Sequence, residues 1–553
     1  MKKTMFALTA WASVALFDPA LAQSDKFVHA VQAGGTGFDR GSAITTDGAD
    51  NTIITGYFQE TASFGNINLT SAGMKDIFVA KSDNQGNFLW AVSAGGNSED
   101  EGLGVATDAQ GNVYVTGFFF QSASFGNTTL NASGSYDIFV AKYDANGTLQ
   151  WARNDGGTSL DRGYAIAADA AGNSYVTGYF SSTATIGDST FTSAGQDEIF
   201  IAKFDPNGAF QWARHAGGQF FDQGNGIAVD PNGNTIVTGK FSGLAFFGAT
   251  QIASSRLFNT FITKLDANGT FLWTKSAGGR DDFSYGVATD GSGNIFVTGY
   301  FQQTGNFDGT FLTSAGSGDV FLAKYDENGT LQWVRQDGGS DLEMGYCVAV
   351  DGDGNAAVSG FFASTATFGD STFTSTLKDI FVAKYDTDGN FLQAEQAGGS
   401  SIDEAYGIAF DSAGNAFLTG VFGSTATFGE TERTSLGNEE IFIAKFGADG
   451  PTAVEDAVKQ PNAFSLAQNY PNPFNPETTI SYNLNRAGFV TLHIFDIAGK
   501  RVRSLYEGKQ PAGSHRLIWD GTDELGQAVS SGLYLYQLQA GKQRTSRRML
   551  LLK

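Results

Sequence analysis

Seven acidic residues recur at one place in this chain: Asp39, Asp100, Asp161, Asp222, Asp282, Glu343 and Asp403, each a few residues after a Gly-Gly step. Carboxylate oxygens are the ligands that hard cations prefer, so seven of them on one rim could hold Ca2+ or meet a basic partner. The same side chains accept backbone N–H bonds in turns, which is the commoner use of a turn Asp. Asp-x-x-Gly-Asn strings such as Asp351–Asn355 lack the span and the closing Glu of an EF-hand, so they read as turns.

Other chemistry is sparse. The four histidines, His29, His215, His493 and His515, form no His-x-x-x-His pair, and there is no Gly-x-Ser-x-Gly elbow or phosphate loop. A glycosidase pair could hide among so many carboxylates, but the repeat spreads them evenly and the copies differ little. The sequence therefore predicts no catalytic residue and no cofactor beyond Ca2+. Phe58, Phe119 and Phe180 suit packing between repeats better than stacking on sugars. Cys347 is the sole cysteine, which rules out an intramolecular disulfide and suits a small buried apolar residue.

What must position these residues is a repeat of 60 or 61 residues. Its glycine marker falls at Gly56, Gly117, Gly178, Gly239, Gly299, Gly360 and Gly420, and its lysine marker at Lys81, Lys142, Lys203, Lys264, Lys324, Lys384 and Lys445. One copy holds strand-like runs at 104–107, 113–119, 137–143 and 148–153, separated by Asp/Gly turns. Four short antiparallel strands per copy make a propeller blade, and the acid loop enters each blade's inner strand, placing all seven carboxylates around the channel mouth. The outer strand carries Trp90, Trp151, Trp212, Trp273 and Trp333, with Gln393 in the sixth copy. The last copy lacks this strand, whereas Phe27–Gly35, with His29 at the Trp position, stands alone near the start. Residues 27–32 are therefore expected to complete the last blade and close the ring, leaving no free edge.

Through its Asp-x-x-Gly-Asn, Val-Thr-Gly-Tyr-Phe and Asp-Ile-Phe-Val-Ala-Lys strings, residues 27–447 resemble the bacterial proteins built of seven-bladed β-propeller repeats. That resemblance implies a fold and leaves the ligand open. Residues 464–553 alternate in strand fashion and suggest a small β-sandwich. Their strings Gln468–Pro476, Ile494–Gly499, Trp519–Gly521, Ser531–Tyr534 and Met549–Lys553 resemble the type A C-terminal sorting domain of type IX secretion substrates. The resemblance implies an Ig-like fold, recognition by outer-membrane secretion machinery, and removal of the domain with attachment of the cargo to the surface.

The expected organisation is all-β: a signal peptide (1–22), a seven-bladed propeller (23–447), a linker (448–463) and an Ig-like domain (464–553). Lys2 and Lys3, the apolar run to Phe17 and Ala20-Leu21-Ala22 carry the signal-peptide reading. No later segment approaches the ~20 apolar residues of a spanning helix. Of the net charge of −23, residues 1–22 hold +1 and residues 461–553 hold +5, leaving −29 for 23–460. A body this acidic repels phosphate backbones and disfavours nucleic acid as a partner. The expected role is a non-enzymatic, adhesion-type module for a protein or glycan, secreted or on the outer surface of a Gram-negative-type bacterium. A hydrolase with its site at the channel mouth, or a purely structural surface protein, is the alternative.

Overall fold

Short runs rich in Val, Ile, Thr, Phe and Tyr, punctuated by Asp and Gly, give strands throughout the described residues, which contain no helix. The computed structural model describes residues 25–447, 465–466, 469, 472–484, 488–510, 513–541 and 543–552. The expected signal peptide and linker lie outside these residues. The chain divides into two compact units, Met1–Asp449 and Gly450–Lys553.

In the larger unit each copy of the repeat forms an antiparallel set of four strands. In one copy these are Asp100–Thr107, Val113–Phe125, Thr128–Tyr143 and Leu149–Gly157, paired in chain order. The second and third strands run further than the sequence suggests. At Gln121 the backbone turns left-handed (φ 60°), and residues 122–125 and 128–131 continue as a ribbon. That ribbon pairs with Ala94 and Gly95 at the end of the preceding copy's outer strand. A Cβ on Gly96 would stand 1.9 Å from the Ser122 carbonyl oxygen, so this crossing explains the second glycine of the Gly-Gly step.

Seven such four-stranded sets occur among the described residues. The seventh joins Glu404–Phe410, Ala416–Phe422 and Glu440–Gly447 to Lys26–Gly35, whose register runs from Lys26 opposite Gly447 to Ala33 opposite Ile441. The first strands of successive sets lie side by side, and Glu404–Phe410 lies beside Arg40–Thr46. Thr46 Oγ1 donates to the Phe410 carbonyl at 2.7 Å, as Thr107 Oγ1 does to that of Thr46 at 2.8 Å.

Neighbouring sets are clasped at their outer ends. Trp90 Nε1 donates to the Ala145 carbonyl (3.1 Å) in the next copy's turn, and Trp151 does the same to Pro206 (3.1 Å). Lys81 bonds the Ala145 carbonyl too, at 3.3 Å, while its ammonium lies 2.7 Å from Asp47. Two positions depart from this pattern: Gln393 bonds the Asp25 backbone instead, and His29 stands in the Trp position with its buried Nε2 unpartnered. Phe58, Phe119 and Phe180 are fully buried in the apolar core.

The smaller unit has a three-stranded sheet, Ser465–Leu466, Thr478–Leu484 and Gly513–Trp519, and a four-stranded sheet, Arg501–Gln510, Gly488–Phe495, Gly532–Ala540 and Gln543–Leu551. Its core gathers Ile480, Leu492, Ile494, Trp519, Tyr536 and Leu551. Phe474 brings distant motif strings together: its backbone exchanges hydrogen bonds with Leu550 and Leu552 (both 3.0 Å), and its ring lies 5.6 Å from Trp519.

Candidate functional site

The seven recurrent acids are all fully buried, and each turns its carboxylate back into its own loop. Asp39 accepts from the Gly35 N–H (2.6 Å) and the Gln59 N–H (3.0 Å), and Asp161 from Gly157 (2.7 Å) and Ser181 (3.1 Å). Asp100, Asp222, Asp282 and Asp403 repeat both bonds, and Glu343 accepts from Gly339 (2.8 Å). Each of the six Asp residues thus ties the Gly-Gly end of one copy to the second strand of the next, whereas Glu343 Oε1 is buried without a hydrogen-bond partner among the described residues. Burial raises all seven, Asp39, Asp282 and Asp403 to about 6 and Asp100, Asp161, Asp222 and Glu343 to about 7.

Sequence reasoning overlooked a second set of acids beside the first. Asp76 flanks Asp100, Asp137 flanks Asp161, and Glu440 flanks Asp39, again accepting backbone N–H bonds. Among the described residues no group of three or more His, Cys, Asp or Glu side chains is placed to hold a metal ion. The acids meet in pairs across the boundaries between copies rather than converging on one point.

Three residues after each acid, the first strand carries a bulge. Arg40 pairs with Tyr57 and Gly41 with Gly56, but Ala43 pairs with Thr55, so Ser42 is an extra residue without a cross-strand partner. Leu103, Tyr164, Asn225, Tyr285, Tyr346 and Tyr406 occupy the same bulge in the other copies. A bulge re-aims its side chain, and here all seven line a central cavity of about 630 Å³. A Cβ on Gly41 would lie 2.3 Å from Thr419 Oγ1 of the neighbouring set, so the small residue before the bulge lets this first strand pack against the neighbour's second strand.

The expectation that the copies differ little fails at this position, where the side chains run from Ser to Tyr. Residues 283 to 406 build one aromatic arc along the cavity wall. Phe283 and Tyr285 lie 6.3 Å apart, Tyr285 and Tyr346 5.2 Å, and Tyr346 and Tyr406 5.3 Å, centroid to centroid. A cation closes each end: Lys240 Nζ is 4.8 Å from the Phe283 ring centroid, and the Arg40 guanidinium 3.7 Å from that of Tyr406. Arg40 and Lys240 are the only charged side chains among the described residues lining the cavity. Buried Arg40 Nε and Ser42 Oγ have no hydrogen-bond partner among the described residues. Burial lowers the Lys240 ammonium, with Asp197 acting in the opposite direction, and raises the Tyr285, Tyr346 and Tyr406 hydroxyls, which stay neutral at ordinary pH.

Cys347 also lines the cavity; burial raises its thiol, whose Sγ lies 3.5 Å from the Ser359 carbonyl oxygen. The loops where the first strands begin carry exposed apolar side chains, Phe38, Leu160, Phe221 and Ile402, each immediately before its acid. None of the cavity residues except Cys347 was singled out from sequence. Aligning the seven copies shows the bulge position to differ, but the positions of Phe38 and Arg40 differ more, so sequence disagreement alone does not single it out.

Residues 475–544 match the family model described as FlgD Ig-like domain, and residues 272–300 and 394–421 match the one described as Beta-propeller repeat. An uncharacterized WD repeat-containing protein of Acanthamoeba polyphaga mimivirus is 25% identical over 496 residues, covering 71% of this chain and 36% of that protein. The regulatory protein FlaEY of Caulobacter vibrioides is 26% identical over 336 residues, covering 55% of this chain and 35% of its own. The chain spans about a third of the length of these curated relatives. Among solved structures, PorZ of Porphyromonas gingivalis, described as an essential bacterial surface component of the type-IX secretion system, aligns at 13% identity with a TM-score of 0.35, over 94% of this chain and 60% of that one. The chain is thus all-β, with β-propeller repeats and an Ig-like domain.

Proposed function

We propose that the seven four-stranded sets are the blades of a closed seven-bladed propeller, and that this propeller is a non-enzymatic binding module working at its channel mouth. The observation that carries the reading is the bulge: the acids found in every copy are buried and hydrogen-bonded, whereas the bulge position, filled by Ser, Leu, Asn or Tyr, lines the cavity in all seven. The Lys26–Gly35 pairing and the Thr46–Phe410 contact support ring closure. The cavity wall offers cations, phenols and amides and, among the described residues, no carboxylate or imidazole to serve as general acid or base, which favours binding over hydrolysis.

In this reading the Ig-like unit directs export through the type IX pathway, and the protein works outside the cell or on its outer surface. The motif strings around Phe474, Trp519 and the last strand support it. No helix among the described residues is long and apolar enough to cross a membrane. The test is a screen of the full chain against glycans and peptides, with and without Ca2+, beside the Tyr346→Ala variant. A ligand that Tyr346→Ala loses, with an unchanged melting curve, supports the module. Turnover of a glycan without stable binding overturns it in favour of the hydrolase.

A further inference from the structure

The cavity wall also indicates a class of ligand, an inference that rests on the binding-module reading. Its arc is continuous: Lys240, Phe283, Tyr285, Tyr346, Tyr406 and Arg40 follow one another in space, so two cations bracket four aromatic rings. Neither cation has a salt-bridge partner among the described residues. Asp197, the acid whose charge acts on Lys240, accepts from Ser181 Oγ and Gln223 Nε2 (both 2.9 Å), and Glu404 is held by Lys378 at 2.6 Å and takes the Tyr406 hydroxyl. In a segment of net charge −29, a cavity whose only charges are two unpaired cations is a local inversion of sign.

We infer that the channel mouth binds a short acidic oligosaccharide, its sugar rings against the tyrosine arc and its carboxylates at Arg40 and Lys240. Sugar rings have apolar faces and hydroxyl edges, and the wall presents both complements: aromatic rings, and the polar groups of Ser42, the Asn225 amide oxygen and the Tyr285 and Tyr346 hydroxyls, the Tyr406 hydroxyl being bonded to Glu404. The Arg40 guanidinium lies on the Tyr406 ring, which fixes its plane and leaves its N–H edge for a carboxylate. Ser42 Oγ and Arg40 Nε, buried without partners among the described residues, gain acceptors or donors from such a ligand. A cavity of about 630 Å³ takes a ligand of a few sugar units rather than a polymer. Long polyanions meet Glu99, Asp281 and Glu439 in the loops around the mouth.

Titration calorimetry of the full chain with trigalacturonate, and with cellotriose as the neutral control, tests this. Trigalacturonate binds and cellotriose binds at least about tenfold more weakly. Arg40→Gln and Lys240→Met each weaken the acidic ligand by about tenfold or more, and added salt weakens it further. Melting curves of the variants show that they fold. If wild type binds neither sugar, or binds trigalacturonate undiminished by either charge variant, the inference falls. Neutral glycans or peptides captured in a Tyr346-dependent way would overturn the acidic ligand and keep the binding module; no Tyr346-dependent ligand of any kind overturns both.

Discussion

Asp161 and Tyr164 stand three residues apart at the start of one strand, yet they answer to different constraints. Asp161 is fully buried, accepts two backbone N–H bonds and has an acidic counterpart in each of the other six copies. Tyr164 sits on a bulge, lines the cavity, and is matched elsewhere by Ser, Leu, Asn or Tyr. A residue that ties one copy to the next must be the same in all of them, because every boundary poses the same hydrogen-bonding problem. A residue that meets a ligand in the middle of a ring is freed from that symmetry, because a ligand has none. In a repeat protein, uniformity marks the frame and disagreement marks the site.

The comparison presupposes that the copies form equivalent neighbours all the way round, and the severest way to break it is at the seam. Deleting residues 26–33 removes the fourth strand of the last set, with buried Phe27, Ala30 and Ala33. The melting temperature should fall by many degrees, or the protein aggregate through the exposed edge of Glu440–Gly447. An unchanged melting curve would mean that the seam is dispensable. Next in size is the frame itself. Asp161→Ala leaves the part-buried Gly157 and Ser181 N–H groups without their acceptor, at about 1 kcal/mol or more each. If Asp161→Ala melts like wild type, while chelation of Ca2+ lowers the melting point of the parent protein, the cation role regains ground over the turn role.

Much of this frame could be read from the residues. The period, the turn chemistry of Asp-x-x-Gly-Asn and the lone strand at Phe27 led to the four-stranded sets, because each is a local signal repeated seven times. Asp108 shows the turn in full, accepting from the N–H groups of Gln110 (3.0 Å) and Asn112 (2.9 Å). The ribbons at 122–131 were missed because they are short: beyond a left-handed Gln121, buried Ala123, Phe125 and Leu130 alternate with exposed neighbours for only four residues on each side of the turn. The site was missed for a deeper reason. Tyr285, Tyr346 and Tyr406 look like ordinary strand residues, and only the bulge, which no single copy announces, turns them inward.

Acidity should shift the frame in a direction set by the buried carboxyls. Burial lifts the seven recurrent acids from 3.8, or 4.5 for Glu343, to about 6 or 7. Their folded state holds protons more tightly than the unfolded one, so this contribution to stability is complete below the ordinary value and lost as pH rises through about 6 to 7. Asp47, Asp230 and Asp351 behave oppositely: burial resists their ionisation, but bonds from Lys81, Lys264 and Lys384 and from their own turns outweigh it and lower them. Their contribution is present above 3.8 and lost in stronger acid. The melting temperature should therefore peak between roughly pH 4 and 6 and decline toward pH 8. A steady rise from pH 5 to pH 8 would show that the recurrent acids are ionised in the folded protein.

The smallest expected effect is the sharpest test of the comparison. Leu103 occupies the bulge of the second copy, half exposed to the cavity and outside the aromatic arc. Because the same bulge already holds Ser42 and Asn225, Leu103→Asn should cost no more than about 0.5 kcal/mol. That places it well below Asp161→Ala, although both changes fall at the entry to a first strand. Two melting curves suffice: near coincidence of Leu103→Asn with wild type, beside a clear loss for Asp161→Ala, separates the frame from the site. Equal losses would mean that the bulge side chains are also structural, each copy filling its own gap, and the cavity wall would then owe its variety to packing rather than to a ligand.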